Sequence, residues 1–139
     1  MTDDEIELRA VLDSSAMVSY ARGHVHVGEM VVDIAEEGAY VALPTVTLIR
    51  AHAEVGADAA ARARLVLLPA VPGIHVLPLG PAEAAKVSRY LHRFHGDPAR
   101  AHAVWAALSH GAYFLTSDPE PVASAIPADQ IHYIPPTDA

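Results

Sequence analysis

Two stretches decide how this chain is interpreted: Val11-Leu12-Asp13-Ser14-Ser15-Ala16 near its start and Phe114-Leu115-Thr116-Ser117-Asp118-Pro119 near its end. Each has the pattern of a short apolar strand followed by an aspartate at its carboxyl end. Parallel strands bring their carboxyl ends to one edge of a sheet, and open α/β sheets bind ligands at that edge. The sequence therefore predicts that Asp13 and Asp118 share one cleft.

Between these stretches, apolar strands alternate with helical patterns. Strands are predicted at residues 8–12, 40–43, 74–77, 113–116 and 131–134. Helices are predicted at 15–21 (capped by Ser14), 25–37, 45–55, 58–68, from Pro81 with Ala84, Val87, Leu91 and Phe94 turned inward, at 99–110 before Gly111, and near 120–125. This alternation predicts an α/β/α sandwich with a central, mainly parallel sheet.

The bulk composition indicates one ordinary globular domain. The chain has 139 residues, of which 52% are hydrophobic and 19% charged, so one real core is expected. We expect a flexible acidic N-terminus at 1–8, a single domain at 9–134 and a frayed tail at 135–139. The net charge of −8 argues against a broad basic face for nucleic acid.

Several classes of protein are excluded or disfavoured by the same composition. The absence of cysteine rules out disulfides and thiolate metal sites. The apolar run from Leu65 to Leu79 is broken by prolines and a glycine, so no membrane span is expected. The acidic start is unlike a signal peptide, and a cytoplasmic location is expected.

The paired aspartates point to hydrolytic metal chemistry. Mg²⁺ and Mn²⁺ prefer oxygen ligands, and two or three carboxylates suffice because these ions keep several waters. Such ions activate water and stabilise charge on a phosphodiester. Asp13 and Asp118 are the predicted metal ligands, and the hydroxyls of Ser15 and Thr116 are predicted to line the site and hold metal-bound waters.

In order and spacing, these motifs resemble the PIN-domain family, especially VapC-type toxins. The resemblance covers roughly Arg9 to Ile134. It rests on the two aspartate-containing stretches quoted above, one near each end of the chain. It also rests on Leu43-Pro44-Thr45-Val46-Thr47-Leu48-Ile49 and on Ala101-His102-Ala103-Val104 before Gly111. It implies a metal-dependent ribonuclease that uses Mg²⁺ or Mn²⁺. For a toxin it implies RNA as substrate and an antitoxin as inhibiting partner. A homodimer is also expected.

The family's site uses four acidic positions, and this chain matches only part of them. The first corresponds to Asp13 and the last to Asp118. The second, a glutamate in the family, corresponds to Arg50, so an acid has become a base. The third corresponds to Ala99, and Asp97 is the substitute that we predict to assist catalysis. Arg50 and Ala99 are both predicted to line the site.

Two functions follow from this partial match. The first is a PIN-like protein with a degenerate metal site, with weak or no nuclease activity and no required cofactor, that acts by binding protein or RNA. The alternative is an active Mg²⁺- or Mn²⁺-dependent ribonuclease with Asp13, Asp97 and Asp118 as catalytic acids. We further hypothesise that Arg50 reaches between Asp13 and Asp118 and replaces the metal as a built-in counter-charge.

Three other patterns carry weaker alternatives. His92 and His95 are at helical spacing, with Asp97 close behind, as in a zinc site. The basic stripe of Lys86, Arg89 and Arg93 is either a face for RNA or a solvated helix surface. Trp105 is expected to pack in the core or at a dimer contact.

Overall fold

One parallel sheet organises the computed structural model, which describes residues 6–137. Its five strands are β1 (Leu8–Leu12), β2 (Tyr40–Pro44), β3 (Ile74–Leu77), β4 (Tyr113–Thr116) and β5 (Ile131–Tyr133). Every neighbouring pair runs parallel, in the order β3-β2-β1-β4-β5. All the predicted strands are therefore present, and the sheet is parallel throughout.

The central strand β1 marks the point at which the chain reverses its direction across the sheet. From β1 the chain extends through β2 to β3, then returns to place β4 on the other side of β1. A crevice opens beyond the carboxyl ends of the strands at such a switch point. Leu12 pairs with Leu115, so the polar residues that follow these two leucines enter the same crevice.

Helices cover both faces of the sheet. They are α1 (Ser14–Ala21), α2 (Val25–Glu36), α3 (Thr45–Val55), α4 (Ala59–Leu67), α5 (Pro81–Ser88) and α6 (Pro98–His110). Leu12 and Leu115 belong to the core under α1–α4, whereas Val11 and Phe114 belong to the core under α5 and α6. Successive residues of a strand point to opposite faces, so the apolar strands fill both cores and give an α/β/α sandwich.

Aspartates cap three helix N-termini, and the caps are Asp13 of α1, Asp58 of α4 and Asp97 of α6. Asp13 caps α1, because its Oδ1 accepts the backbone N–H of Ala16 at 2.9 Å. The prediction of Ser14 as the cap was wrong by one position: β1 ends at Leu12, which leaves Asp13 as the extended residue before the helix. Asp97 caps α6 in the same way, and Gly111, in the left-handed conformation at φ 61°, ends α6 as predicted.

Some predicted helices are shorter in the structure. The helix from Pro81 ends at Ser88 and is followed by a 3-10 turn at Leu91–Phe94. Ala84 is exposed on that short helix rather than buried, while Val87 and Phe94 are buried as expected. The predicted helix near 120–125 is reduced to the 3-10 turn Glu120–Val122.

The predicted domain boundaries fall near the two ends of the described residues. Leu8, placed in the flexible N-terminus, opens β1 and is buried. Residues 1–5 and 138–139 lie outside the described part of the chain, and these include most of the predicted flexible segment and the end of the predicted tail. Within residues 6–137, no helix has the length and apolar character needed to cross a membrane.

Candidate functional site

Four predicted site residues form one hydrogen-bonded chain at the carboxyl edge of the sheet. The Ser15 hydroxyl donates to Asp13 Oδ1 at 2.6 Å and lies 3.4 Å from Thr116 Oγ1. The backbone N–H of Asp118 donates to Thr116 Oγ1 at 3.0 Å. Because β1 and β4 are neighbours, the two ends of the sequence motif meet here. The hydroxyls of Ser15 and Thr116 connect the Asp13 carboxylate to the loop of Asp118.

Asp13 lies in a largely desolvated position. Burial raises the pKa of Asp13 above its ordinary value, because a charged carboxylate loses its hydration there. Hydrogen bonds from Ser15, Thr116 and the Ala16 backbone, and the positive charge of Arg100, act in the opposite direction on this pKa. Asp118 is exposed at the rim. The two aspartates therefore share an edge but have different environments.

Asp97 is fully engaged by the protein itself. Its Oδ1 accepts the backbone N–H groups of Ala99 and Arg100, at 3.1 and 3.2 Å. Its Oδ2 accepts a close ion-pair contact from Arg50 Nη1, and Arg100 Nη1 lies 3.8 Å from the same oxygen. Its side chain is only 15% exposed. The carboxylate that was predicted to assist catalysis is therefore bound by two backbone N–H groups of α6 and by two arginines.

Arg50 is a counter-charge, but not for the pair of acids that was hypothesised. Its Nε donates to Glu54 Oε1 at 3.2 Å, and Asp97 raises the pKa of Arg50 above its ordinary value. Among residues 6–137 it forms no ion pair with Asp13 or Asp118, so that hypothesis was wrong. The reason is packing: α3 lies against α6, which brings Arg50 to the capping residue of α6.

Ala99 joins two helices and supplies no acid. It is buried, and its carbonyl accepts the Thr47 hydroxyl at 2.7 Å. Thr47 is itself buried, at 1% exposure. The predicted site-lining position therefore stabilises the joint between α3 and α6, and Thr47 was not predicted as its partner.

Other residues at this edge were missed by sequence reasoning. Arg100 acts on both Asp13 and Asp97, and the Ser117 backbone N–H donates to Ser15 Oγ at 2.8 Å. A polar cavity of about 150 Å³ adjoins the cluster and is lined by Ser15, Val18, Ser19, Arg22, His24, Glu54, Ser117 and Pro136. These residues come from separate elements, and only the folded packing brings them together.

The arrangement does not fit a metal centre built from several acids. In the described part of the chain, no three histidine, aspartate or glutamate side chains are grouped so as to hold a metal ion. His92 and His95, the alternative zinc pair, are both exposed and belong to no such group. Asp97 is compensated by arginines, and burial disfavours the charged form of Asp13. The residues can hold hydrogen-bonded polar ligands, but they lack a concentrated negative charge.

Comparisons with known proteins support the fold. No protein-family model and no curated protein sequence matches the chain. Among solved structures, a toxin-antitoxin complex from Klebsiella pneumoniae is similar, with a TM-score of 0.63 and 12% identity over 94% of this chain and 99% of that one. PAE2754 from Pyrobaculum aerophilum gives a TM-score of 0.56 and 21% identity over 84% of this chain and 78% of that one. These likenesses are consistent with a PIN-like fold, and at such identities they establish the fold alone.

Proposed function

We propose that this chain is a PIN-like protein with a neutralised acid site, with weak or no metal-dependent nuclease activity, that acts by binding protein or RNA. The observation that carries the proposal is the ion pair between Arg50 and Asp97. At the position of Arg50 the PIN-domain family has an acid, so this chain places a positive charge where the family has a negative one. The proposal explains why the edge of the sheet is intact while its charges are balanced internally.

The positive charges beside Asp97 oppose the binding of a divalent metal ion. A pair of unit charges 4 Å apart interacts by about 4 kcal/mol at an effective dielectric near 20, and a divalent ion doubles that figure. A metal ion beside Asp97 would meet the repulsion of both Arg50 and Arg100. Asp13 adds little attraction unless it is ionised, and burial raises its pKa. The cluster therefore favours its own ion pairs over a bound Mg²⁺ or Mn²⁺.

Exposed apolar surface supports the binding part of the proposal. Val25 and Val32 on α2 are 51% and 54% exposed. With Gly28, Glu29 and Asp33 they line a shallow groove of about 430 Å³. Apolar patches with a polar rim are typical of protein contacts, and one of the similar solved structures is a toxin-antitoxin complex.

The test combines metal binding with RNA cleavage. We expect calorimetric titration with Mn²⁺ to give no binding at micromolar to low millimolar concentration, and incubation with single-stranded RNA to give no cleavage that EDTA abolishes. Asp13→Asn and the exposed control Asp33→Asn should behave like the unmodified protein. EDTA-sensitive cleavage that is lost in Asp13→Asn and kept in Asp33→Asn would instead establish the active ribonuclease.

A further inference from the structure

A second cleft, with cations on one side and aromatic rings on the other, lies between α5 and α6 and away from the acid cluster. It has a volume of about 310 Å³ and is lined by Lys86, Arg89, Tyr90, Trp105, Leu108 and Ser109. Asp97, at the start of α6, is eight residues before Trp105, which corresponds to about 12 Å along a helix. The cleft is therefore a separate surface and does not include the carboxyl edge of the sheet.

The cleft is positively charged in a protein of net charge −8. Lys86 and Arg89 are both exposed, and neither forms an ion pair with an acid among residues 6–137. The acid nearest in sequence, Glu83, has its carboxylate over Gly80 at the start of α5, where Oε2 would lie 2.9 Å from an added Cβ. Lys86 and Arg89 are therefore available to bind an anionic group of a ligand.

The aromatic side of the cleft is held in place from behind. Trp105 is half-buried and stacks on the fully buried His102, with ring centroids 6.0 Å apart and 24° between the planes. The His110 ring meets Trp105 edge-on at 6.2 Å. These contacts support the indole from behind, which lowers the ordering cost for a ligand that stacks on it.

We propose that this cleft binds a nucleotide unit of single-stranded nucleic acid, with a base against Trp105 and Tyr90 and phosphate on Lys86 and Arg89. Single-strand binding sites combine cations that follow the backbone with aromatic rings on which bases stack. The volume is at the small end of ligand pockets, which suits one base with its phosphate rather than a long strand. An acidic peptide would satisfy the cations but would leave the aromatic side without a flat partner.

Trp105 is the only tryptophan in the chain, so fluorescence excited selectively at tryptophan, beyond the absorption of the tyrosines, reports on this cleft. We expect a ten-nucleotide single-stranded RNA to quench this fluorescence saturably in buffer with EDTA. A free mononucleotide such as AMP provides the second arm: saturable quenching by AMP at the same concentrations assigns the site to free nucleotides, and quenching by the oligomer alone assigns it to a strand. Both results support a nucleotide unit as the ligand.

Charge and stacking are tested by matched variants. Within a strand a nucleotide is flanked by two phosphates, and Lys86 and Arg89 can each neutralise one of them. For the RNA, the plot of log affinity against log salt should then have a slope of about −1.4, falling to about −0.7 in Lys86→Gln or Arg89→Gln. Arg62→Gln, at an exposed arginine of α4, should leave the slope unchanged. In anisotropy measurements with labelled RNA, Trp105→Leu should weaken binding at least fivefold, while Trp105→Phe should keep most of it.

Three outcomes would overturn the inference. The first is the absence of quenching by both RNA and AMP. The second is binding that Lys86→Gln and Arg89→Gln leave unchanged. The third is equal binding of duplex RNA or of a polyglutamate peptide, because neither offers an unstacked base. The inference extends the RNA-binding part of the proposed function to this cleft. All measurements are made with EDTA and without cleavage, so failure here is distinguishable from failure of the proposed neutralised acid site, which the metal titration and the cleavage assay test.

Discussion

At the scale of single residues, charge compensation is the main property of the acid cluster. Asp97 carries two backbone hydrogen bonds and contacts from two arginines. Asp13 is partly buried and accepts hydrogen bonds from the hydroxyls of Ser15 and Thr116. Arginine cannot lose its charge at any pH in the physiological range, so this compensation is permanent. Changing the charge at these positions should therefore change metal affinity and stability in opposite ways.

Arg50→Glu should create metal affinity. The substitution removes the cation beside Asp97 and places a second carboxylate near Glu54, so two unit charges of change favour a divalent ion. We expect at least a tenfold gain in Mn²⁺ affinity by calorimetry, with a smaller gain in Arg50→Gln, which only removes the cation. Arg62→Glu on α4 is the control for added negative charge. Equal gains in Arg50→Glu and Arg62→Glu would show that Arg50 does not guard the site.

Asp13→Asn should stabilise the protein by roughly 1 kcal/mol at pH 7. The amide keeps an oxygen to accept the Ser15 hydroxyl and the Ala16 N–H but removes a charge that burial disfavours. Since the folded pKa of Asp13 is raised, the unmodified protein loses stability as pH rises through that value, and the gain should vanish at low pH. Urea unfolding at several pH values measures it, with Asp33→Asn as the neutral control. A destabilised Asp13→Asn would contradict the reasoning.

At the scale of elements, the joint between α3 and α6 is the most specific packing contact near the site. The Val46 N–H at the start of α3 donates to His102 Nδ1 at 3.3 Å, and Thr47 donates to the Ala99 carbonyl. His102 is fully buried, and its Nε2 has no hydrogen-bond partner among the described residues. A neutral histidine can accept from Val46, whereas a protonated one cannot.

The His102 contact makes stability depend on pH. Burial lowers the pKa of His102 to about 4, with Glu83 opposing the shift. The unfolded chain takes up this proton near pH 6.5 and the folded protein only near pH 4, so stability should fall by up to about 3 kcal/mol as pH drops through that window. His102→Gln, which keeps a neutral acceptor, should flatten the dependence, and His92→Gln should not. An unchanged slope in His102→Gln would contradict the assignment.

At the scale of the whole molecule, much of the fold followed from local sequence. Each strand is a short apolar run between turn residues, and alternation with helices left a parallel sheet as the natural arrangement. The shared edge of Asp13 and Asp118 followed from that alone. The partners of Arg50 and the role of Arg100 could not be predicted from local sequence, because they depend on how α3 is rotated against α6. Periodicity indicates which face of a helix is buried, but it does not identify the partner residue.

The sheet order also determines when the cleft can form during synthesis. β1 lies between β2 and β4, yet the partner of Leu12 on β4 is Leu115, roughly 100 residues later, and closing so long a loop is slow. Until β4 has been synthesised, the backbone N–H and C=O groups along one side of β1 stay unpaired, and such groups are a template for aggregation. The side of β1 that later pairs with β4, next to the acid cluster, therefore needs protection in the nascent chain until β4 has been made.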